Sequence, residues 1–345
     1  HANFAHHRDG ALALLGLKAD DSTSKDDVVK ALARWRAEDF EQAAAEAGLV
    51  VTAMRSFEQW DRHPQGAAVA AMPLFTLEKI AEAPARPLPP VDAAAAPLSG
   101  LRVLDLTRIL AGPTCGRMLA TCGADVMLVN SPHLPNIEAI IDTSRGKLAT
   151  LLDLRERTDA ARFTQLLRGA HVMVQGYRPG GLEQLGFGPQ QAAALSPGIV
   201  YVTLSAYGHQ GPWATRRGFD SLVQTATGFN RAEAQAAGSD QPRPLPMQIL
   251  DYASGYLMAF AAQAALLRQS REGGSWHVRV SLAQTGHWLR SLGRGKRTGR
   301  SDCRVRRLSG NDRDRMGSAC RDTSRRAVRP DASDEPAPFD ASGLA

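Results

Sequence analysis

The sequence predicts an α/β protein built on a doubly wound, mostly parallel sheet and preceded by part of a smaller domain. Three observations lead there. Four short apolar runs, LRVLDL (101–106), ADVMLV (124–129), AHVMVQGY (170–177) and IVYVTLSAYG (199–208), lead into glycine or turn residues. Helical segments around 115–123, 158–168 and 189–195 fall between these strand candidates, and strands that alternate with helices build a parallel sheet covered on both faces. Ahead of them lies PARPLPPVDAAAAP (84–97), whose proline and alanine content is that of a linker.

Before the linker, DVVKALARWRAEDFEQAAAEA (27–47) repeats apolar residues at helical spacing and ends before Gly48. LVVTAMRS (49–56) reads as a short strand and turn, FEQWDRHPQG (57–66) as a helical turn stopped near Pro64, and PLFTL (73–77) as extended chain. The expected division is therefore residues 1–83, a linker at 84–97, a large domain over 98–289 and a tail over 290–345. Ligands of a parallel sheet bind beyond the carboxyl ends of its strands. That directs attention to loops 107–113, 175–181 and 205–213.

Composition narrows the function. The formal net charge of +6 and pI of about 9.4 raise the question of an anionic partner. Residues 290–345 hold 14 Lys or Arg against 8 Asp or Glu, whereas residues 1–289 hold 27 of each. The excess sits in an unpatterned tail, which reads as disordered or frame-shifted, and the body makes no electrostatic case for nucleic acid. The cysteines, at 115, 122, 303 and 320, form no CxxC and have no histidines at ligand spacing, so no metal site is expected. Free thiols and an N-terminus without the features of a secretory signal point to the cytoplasm. The uncharged run 252–267 is short for a membrane span.

Individual residues remain. Arg108 follows the first strand candidate, where exposed N–H groups at the start of a helix suit a phosphate; an ordinary strand-to-helix turn is the alternative. Lys147 and Arg155 are either solvated surface or phosphate contacts. Tyr177, in YRPGG (177–181), suits stacking on a flat base or merely covers the sheet. Gly208 and Gly211 allow close approach to an acyl group or unusual dihedrals, and His209 is a candidate base with nothing nearby in sequence to orient it. Asp251 interrupts a stretch with little charge. As a helix cap it takes orphan N–H groups, which lowers its pKa and keeps it ionised. As an ionised carboxylate in an uncharged pocket it is also a nucleophile able to attack a thioester, giving a mixed anhydride and then an enzyme-bound thioester.

In order along residues 98–289 come GLRVLDLTRILAGP, GADVMLV, RGKLATLLDL, AHVMVQGYRPGGLEQLGF, IVYVTLSAYGHQGPW, GFDSLVQTATG, LDYASGY and GGSWHVRVSL. This series resembles the N-terminal part of the family III coenzyme A transferases, the CaiB/BaiF-like group that also contains α-methylacyl-CoA racemases. The resemblance implies a Rossmann-like large domain. It also implies a transferase that moves coenzyme A from an acyl-CoA to a small carboxylic acid, with coenzyme A as part of the substrate, no tightly bound cofactor and a homodimeric assembly. By the same resemblance Asp251 is the catalytic aspartate, Arg108, Arg155 and Tyr177 contact coenzyme A, and Ala111 lines the approach. Racemases of the group carry a histidine where this chain has Phe219, which favours transfer over isomerisation. The chain departs from the family at NSPHLPN (130–136) and Gln184, and the later small domain is not recognisable after Leu289. Residues 1–83 resemble the end of a preceding family unit, an order that a fused tandem repeat accounts for.

Overall fold

The computed structural model describes residues 1–89, 96–134 and 136–293. The middle of the expected linker and nearly all of the tail, with Cys303 and Cys320, lie outside the described residues. Five helices open the chain: α1 (Ala5–Leu14), α2 (Lys25–Leu32), α3 (Ala37–Glu46), α4 (Phe57–Arg62) and α5 (Pro64–Ala71). The single helix expected over 27–47 is thus two. The bonds Arg34 N to Ala31 O and Trp35 N to Leu32 O tighten the chain into a turn, and the Trp35 ring then packs edge-on against Phe40 at 5.4 Å. Packing has overridden a continuous helical pattern.

No strand forms at 49–56, contrary to the sequence reading. Its backbone is satisfied elsewhere: Ala53 N donates to the Glu41 carboxylate at 2.9 Å and Arg55 N to Thr225 O at 3.3 Å. Pro64 ends α4 as expected but also opens α5, where its missing N–H costs nothing.

Seven strands, β1 (Phe75–Ala81), β2 (Arg102–Leu106), β3 (Asp125–Asn130), β4 (Lys147–Leu151), β5 (Val172–Gln175), β6 (Val200–Ser205) and β7 (Ser275–Ser281), form one sheet in the order β1-β7-β6-β5-β2-β3-β4. All neighbours are parallel except β1 with β7, so the expected mostly parallel α/β fold is what forms. β1 comes from the segment before the expected linker.

The two faces of the sheet are covered by different helices, as alternation along each strand requires. Val103, Val174, Val202 and Val278 point to one core, with Cys115, Leu119, Met258 and Ala262. Those partners lie on α6 (Ala111–Thr121) and α12 (Ile249–Glu272). Leu104, Met127, Met173 and Tyr201 point to the other, with Phe163, Leu167 and Ala192. These belong to α8 (Arg157–Arg168) and α9 (Pro189–Leu195), while the short α7 (Ile140–Thr143) precedes β4. Beyond β6 come α10 (Asp220–Ala226) and α11 (Phe229–Ala236), and α13 (Leu282–Ser291) follows β7. Among the described residues no helix is long and apolar enough to cross a membrane.

One buried ion pair ties β2, the start of β4 and α6 together. Lys147 Nζ lies 2.8 Å from Asp105 Oδ2 and donates to Pro113 O, also at 2.8 Å, with the two side chains 1% and 0% exposed. Lys147 is therefore neither solvated nor a phosphate contact. Asp105 also accepts from Thr107 N at 3.0 Å and from the Thr107 hydroxyl. Gly116 makes room for the pair, since a Cβ there would fall 2.1 Å from Asp105 Oδ2.

Removing one partner of such a pair strands the other charge in the core. Lys147→Met is expected to lose about 3–5 kcal/mol in urea unfolding. The double variant Lys147→Met with Asp105→Asn is expected to recover a large part of that loss.

Candidate active site

A cavity of about 500 Å³ opens beyond the carboxyl ends of β2, β5 and β6, where a parallel sheet places its ligands. Arg108, Ala111, Tyr177 and Asp251 all line it. Arg155 does not. Its guanidinium grips Asp153 at 2.8 and 2.7 Å on the exposed surface, because an acceptor two residues back along the chain is close enough to claim it.

The loop from β2 into α6 forms one wall. Ile109 adopts φ 76°, the one non-glycine residue with positive φ among the described residues. A β-branched residue in that region carries strain of roughly 1–3 kcal/mol. Thr107, on one side of it, is fixed by Asp105, and Pro113, on the other, by Lys147. α6 in turn abuts α12 at Gly255, where a Cβ would fall 2.5 Å from Ala111 O. Ala111 and the first turns of α12 are therefore held at a fixed separation.

Asp251 sits in that first turn but is not its cap. The helix starts at Ile249 after Gln248, with no side-chain capping bond. The Asp251 N–H donates to Asp220 Oδ2 at 2.8 Å. Asp220, the first residue of α10, also accepts from the Gln224 side chain. Asp251 is only 7% exposed. Burial, and then the nearby Asp220 carboxylate, push its pKa from the ordinary 3.8 up to about 8. This reverses the expected lowering: a cap would have supplied N–H donors, whereas the fold supplies an apolar setting and a second acid. Burial raises Asp220 as well, but the N–H groups it accepts oppose the shift. The proton therefore resides on Asp251.

Tyr177 stands at the end of a polar chain crossing three strands. Its N–H donates to Gln175 Oε1 at 2.8 Å, Gln175 Nε2 donates to Thr203 Oγ1 at 3.3 Å, and Thr203 meets His277 Nε2 at 2.8 Å. Burial raises the Tyr177 phenol, and the charge of Arg108 partly offsets that. The two expected coenzyme A contacts are thus electrostatic neighbours.

Of the two roles expected for the glycines after β6, the unusual dihedrals are the one that the structure shows. Gly208 and Gly211 have φ 97° and 85°, but a Cβ on them would meet Met72 Cε at 2.4 Å and Gln65 Oε1 at 2.6 Å. They admit the N-terminal segment, not an acyl group. Gln65, fully buried, donates to Tyr207 O and Gln210 O and accepts from Trp213 N. His209 faces a separate small cleft with Arg279 and Thr76. It is not a base for this cavity.

Several lining residues escaped the sequence. Phe4, His6 and His7 arrive from α1 and the residue before it, and Arg178, Arg216 and Arg217 stand at the rim. His7 is 5% exposed and lies edge-on to Phe219 at 5.9 Å. Nothing local in the sequence marks these contacts, which cross some 200 positions; the GFD stretch alone carried a clue to Asp220. Among the described residues no group of three or more His, Cys, Asp or Glu is placed to hold a metal ion.

The Asp251 shift fixes a pH signature. Its unfolded carboxyl titrates at 3.8 and its folded one near 8, so between them the folded state holds the extra proton. Stability falls as pH rises through that window, by up to about 1.4 kcal/mol per unit from this group. Asp251→Asn is expected to flatten the pH dependence of urea stability between pH 5 and 8 and to stabilise the protein above pH 8.

Residues 98–317 match CoA-transferase family III. The acetyl-coenzyme A transferase nodX of Hypoxylon pulicicidum is 36% identical over 203 residues, covering 57% of this chain and 34% of that protein. An acyl-CoA transferase of Gibberella moniliformis is 33% identical over 290 residues, covering 79% and 51%. The crystal structure of Rv3272 from Mycobacterium tuberculosis aligns with a TM-score of 0.53 at 34% identity, over 57% of this chain and 58% of that one. The chain spans between a third and not quite three fifths of these relatives' own length. It belongs to CoA-transferase family III.

Proposed function

We propose that this chain carries the catalytic centre of a transferase that moves coenzyme A from an acyl-CoA thioester to a carboxylic acid. Asp251 is the nucleophile. The observation that carries this reading is a nearly buried carboxyl in a cavity at the strand ends, faced by no other acid among the cavity's lining residues.

Each step of the reaction balances. Ionised Asp251 attacks the thioester carbonyl; the C–S bond breaks and coenzyme A leaves as thiolate, giving an acyl-aspartyl anhydride. The thiolate then attacks the Asp251 carbonyl carbon, expelling the first acid as carboxylate and leaving an enzyme–coenzyme A thioester. An incoming carboxylate reverses the sequence and departs as the new acyl-CoA. No net proton moves and no metal or resident cofactor is required. Burial that disfavours the anion also makes it a stronger nucleophile once the proton has gone. The arginines lining the cavity favour that ionisation when their charge faces the reacting groups. Arg108 and Tyr177 hold the coenzyme A portion in this reading, and Ala111 borders the thioester.

Residues 1–83 are the end of a preceding family unit in the same reading. The Gibberella moniliformis relative supports this, because its match covers 79% of the chain, more than residues 98–345 contain.

A second reading is proton exchange at the carbon α to the thioester. What favours it is His7, whose ring reaches the cavity beside Phe219 and so shares it with the carboxyl of Asp251. Deuterium uptake at the α-carbon in heavy water, lost in His7→Gln, would identify it.

For transfer, acyl-CoA with hydroxylamine is expected to give an adduct on Asp251, detected by intact mass and absent in Asp251→Ala. Transfer at subsaturating acyl-CoA is expected to rise with pH through a midpoint near pH 8 and to level off above it, as Asp251 ionises. A flat profile over pH 6–9 with no adduct would overturn Asp251 as nucleophile.

A further inference from the structure

The double displacement sets a problem of access. Once coenzyme A is joined to Asp251 as a thioester, its arm stays in the cavity while one carboxylate leaves and another arrives. Exchange of acids therefore requires an approach that the arm does not fill.

A second space borders the cavity. It is a cleft of about 230 Å³, and Arg178, Pro179, Arg216 and Arg217 line both. None of these four sits in a helix or strand; they belong to the loops that follow β5 and β6. Loop and side chain, not packed sheet, therefore stand between cleft and cavity. The far wall comes from α3 and the segment after it, through Glu41, Ala45, Gly48 and Thr52.

The cleft is positive. Glu41 is the only acid among its described lining residues. Its carboxylate already accepts from Arg55 at 2.5 and 2.9 Å, from the Thr52 hydroxyl at 2.7 Å and from Ala53 N at 2.9 Å. Burial opposes that charge, but the Arg55 bonds outweigh it and hold the Glu41 pKa below the usual carboxylate range. Arg216 is engaged too, 4.3 Å over the Trp213 ring and 3.8 Å from Glu41. Arg217 differs: its Nη1 donates to the backbone carbonyl of Gly48 at 3.1 Å. Among the described residues no carboxylate pairs with it or with Arg178. A carbonyl orients a guanidinium without neutralising it. Both arginines are exposed, and their planar forks match a carboxylate.

We propose that this cleft is the docking site of the free carboxylic acid, from which acids pass to and from Asp251 while coenzyme A occupies the cavity. This rests on the transferase reading above. Uncompensated charge at the entrance also raises the rate at which anions arrive.

The test reads the cleft directly. Phenylglyoxal modifies accessible guanidinium groups, and peptide masses report the extent at Arg217. Acetate is expected to slow that modification roughly tenfold relative to chloride at the same ionic strength, as for a charged hydrogen bond, and to do so equally with saturating coenzyme A present. Absence of protection would overturn the proposal. So would protection by coenzyme A alone, since Arg217 would then be a phosphate contact. A second readout is exchange of labelled acetate into acetyl-CoA. Ala45→Trp, which fills the cleft from α3, is expected to raise KM for acetate roughly tenfold and to leave KM for acetyl-CoA and the thermal melt unchanged. An equal rise in both constants, or in neither, would also overturn it. If acetate protects Arg217 while exchange is absent and no thioester labels Asp251, the transferase reading fails and the carboxylate site stands.

Discussion

Lys147 and Asp105 meet in the core, away from water, and much of the cavity's geometry depends on that meeting. Taking two charges out of solvent is costly unless every donor and acceptor finds a partner. Here they do: the lysine also reaches the carbonyl of Pro113, and the aspartate also holds Thr107. The pair thereby joins the end of β2, the start of β4 and the first turn of α6. Between its two attachments runs the short loop that contains Ile109 in a left-handed conformation. A β-branched residue stays there only when its surroundings over-determine it. The glycine that leaves room for the pair, Gly116, belongs to the same device.

On α12, another buried aspartate is treated in the opposite manner. Asp251 is offered no lysine; its backbone is held by Asp220, and its own carboxyl is left in an apolar setting. The fold thus gives one buried aspartate a dedicated cationic partner and leaves the other in surroundings that raise its pKa. Structural and chemical roles are separated by what stands opposite each carboxylate, not by residue type. The arginines at the cavity rim complete the contrast, since they supply positive charge to whatever enters without quenching the acid beneath.

Much of this was legible in the sequence. Val- and Leu-rich runs located β2, β3, β5 and β6, because strands buried on both faces need apolar residues throughout. Their carboxyl ends then located the cavity. β4 escaped, since KLATL lies near the sheet edge with Leu148 and Leu151 half or more exposed; its pattern is that of no buried strand. Arg108, Tyr177 and Asp251 line the cavity where strand ends and a helix start had pointed, and Ala111, which only the family resemblance implied, lines it too. Arg155 does not, because a local aspartate captures it. The protonation of Asp251 was misread for a related reason: helix-end logic is local, whereas desolvation is a property of everything packed around a side chain. The same holds for Gly208 and Gly211, whose partners Met72 and Gln65 lie far off in sequence.

The edge strand β1 carries a consequence of its own. It is first in the chain and last in the sheet, and it runs against β7 with six residue pairs, Phe75 to Val280 through Ala81 to Ser275. Gln65, just upstream, is locked into the loop after β6, and Asp61 binds Arg290 at 2.6 Å. Every one of these contacts is indifferent to whether the peptide joining residues 83 and 97 belongs to the same molecule. A cut in that joining peptide would therefore leave the two pieces held to each other by backbone pairing, buried amide contacts and an ion pair.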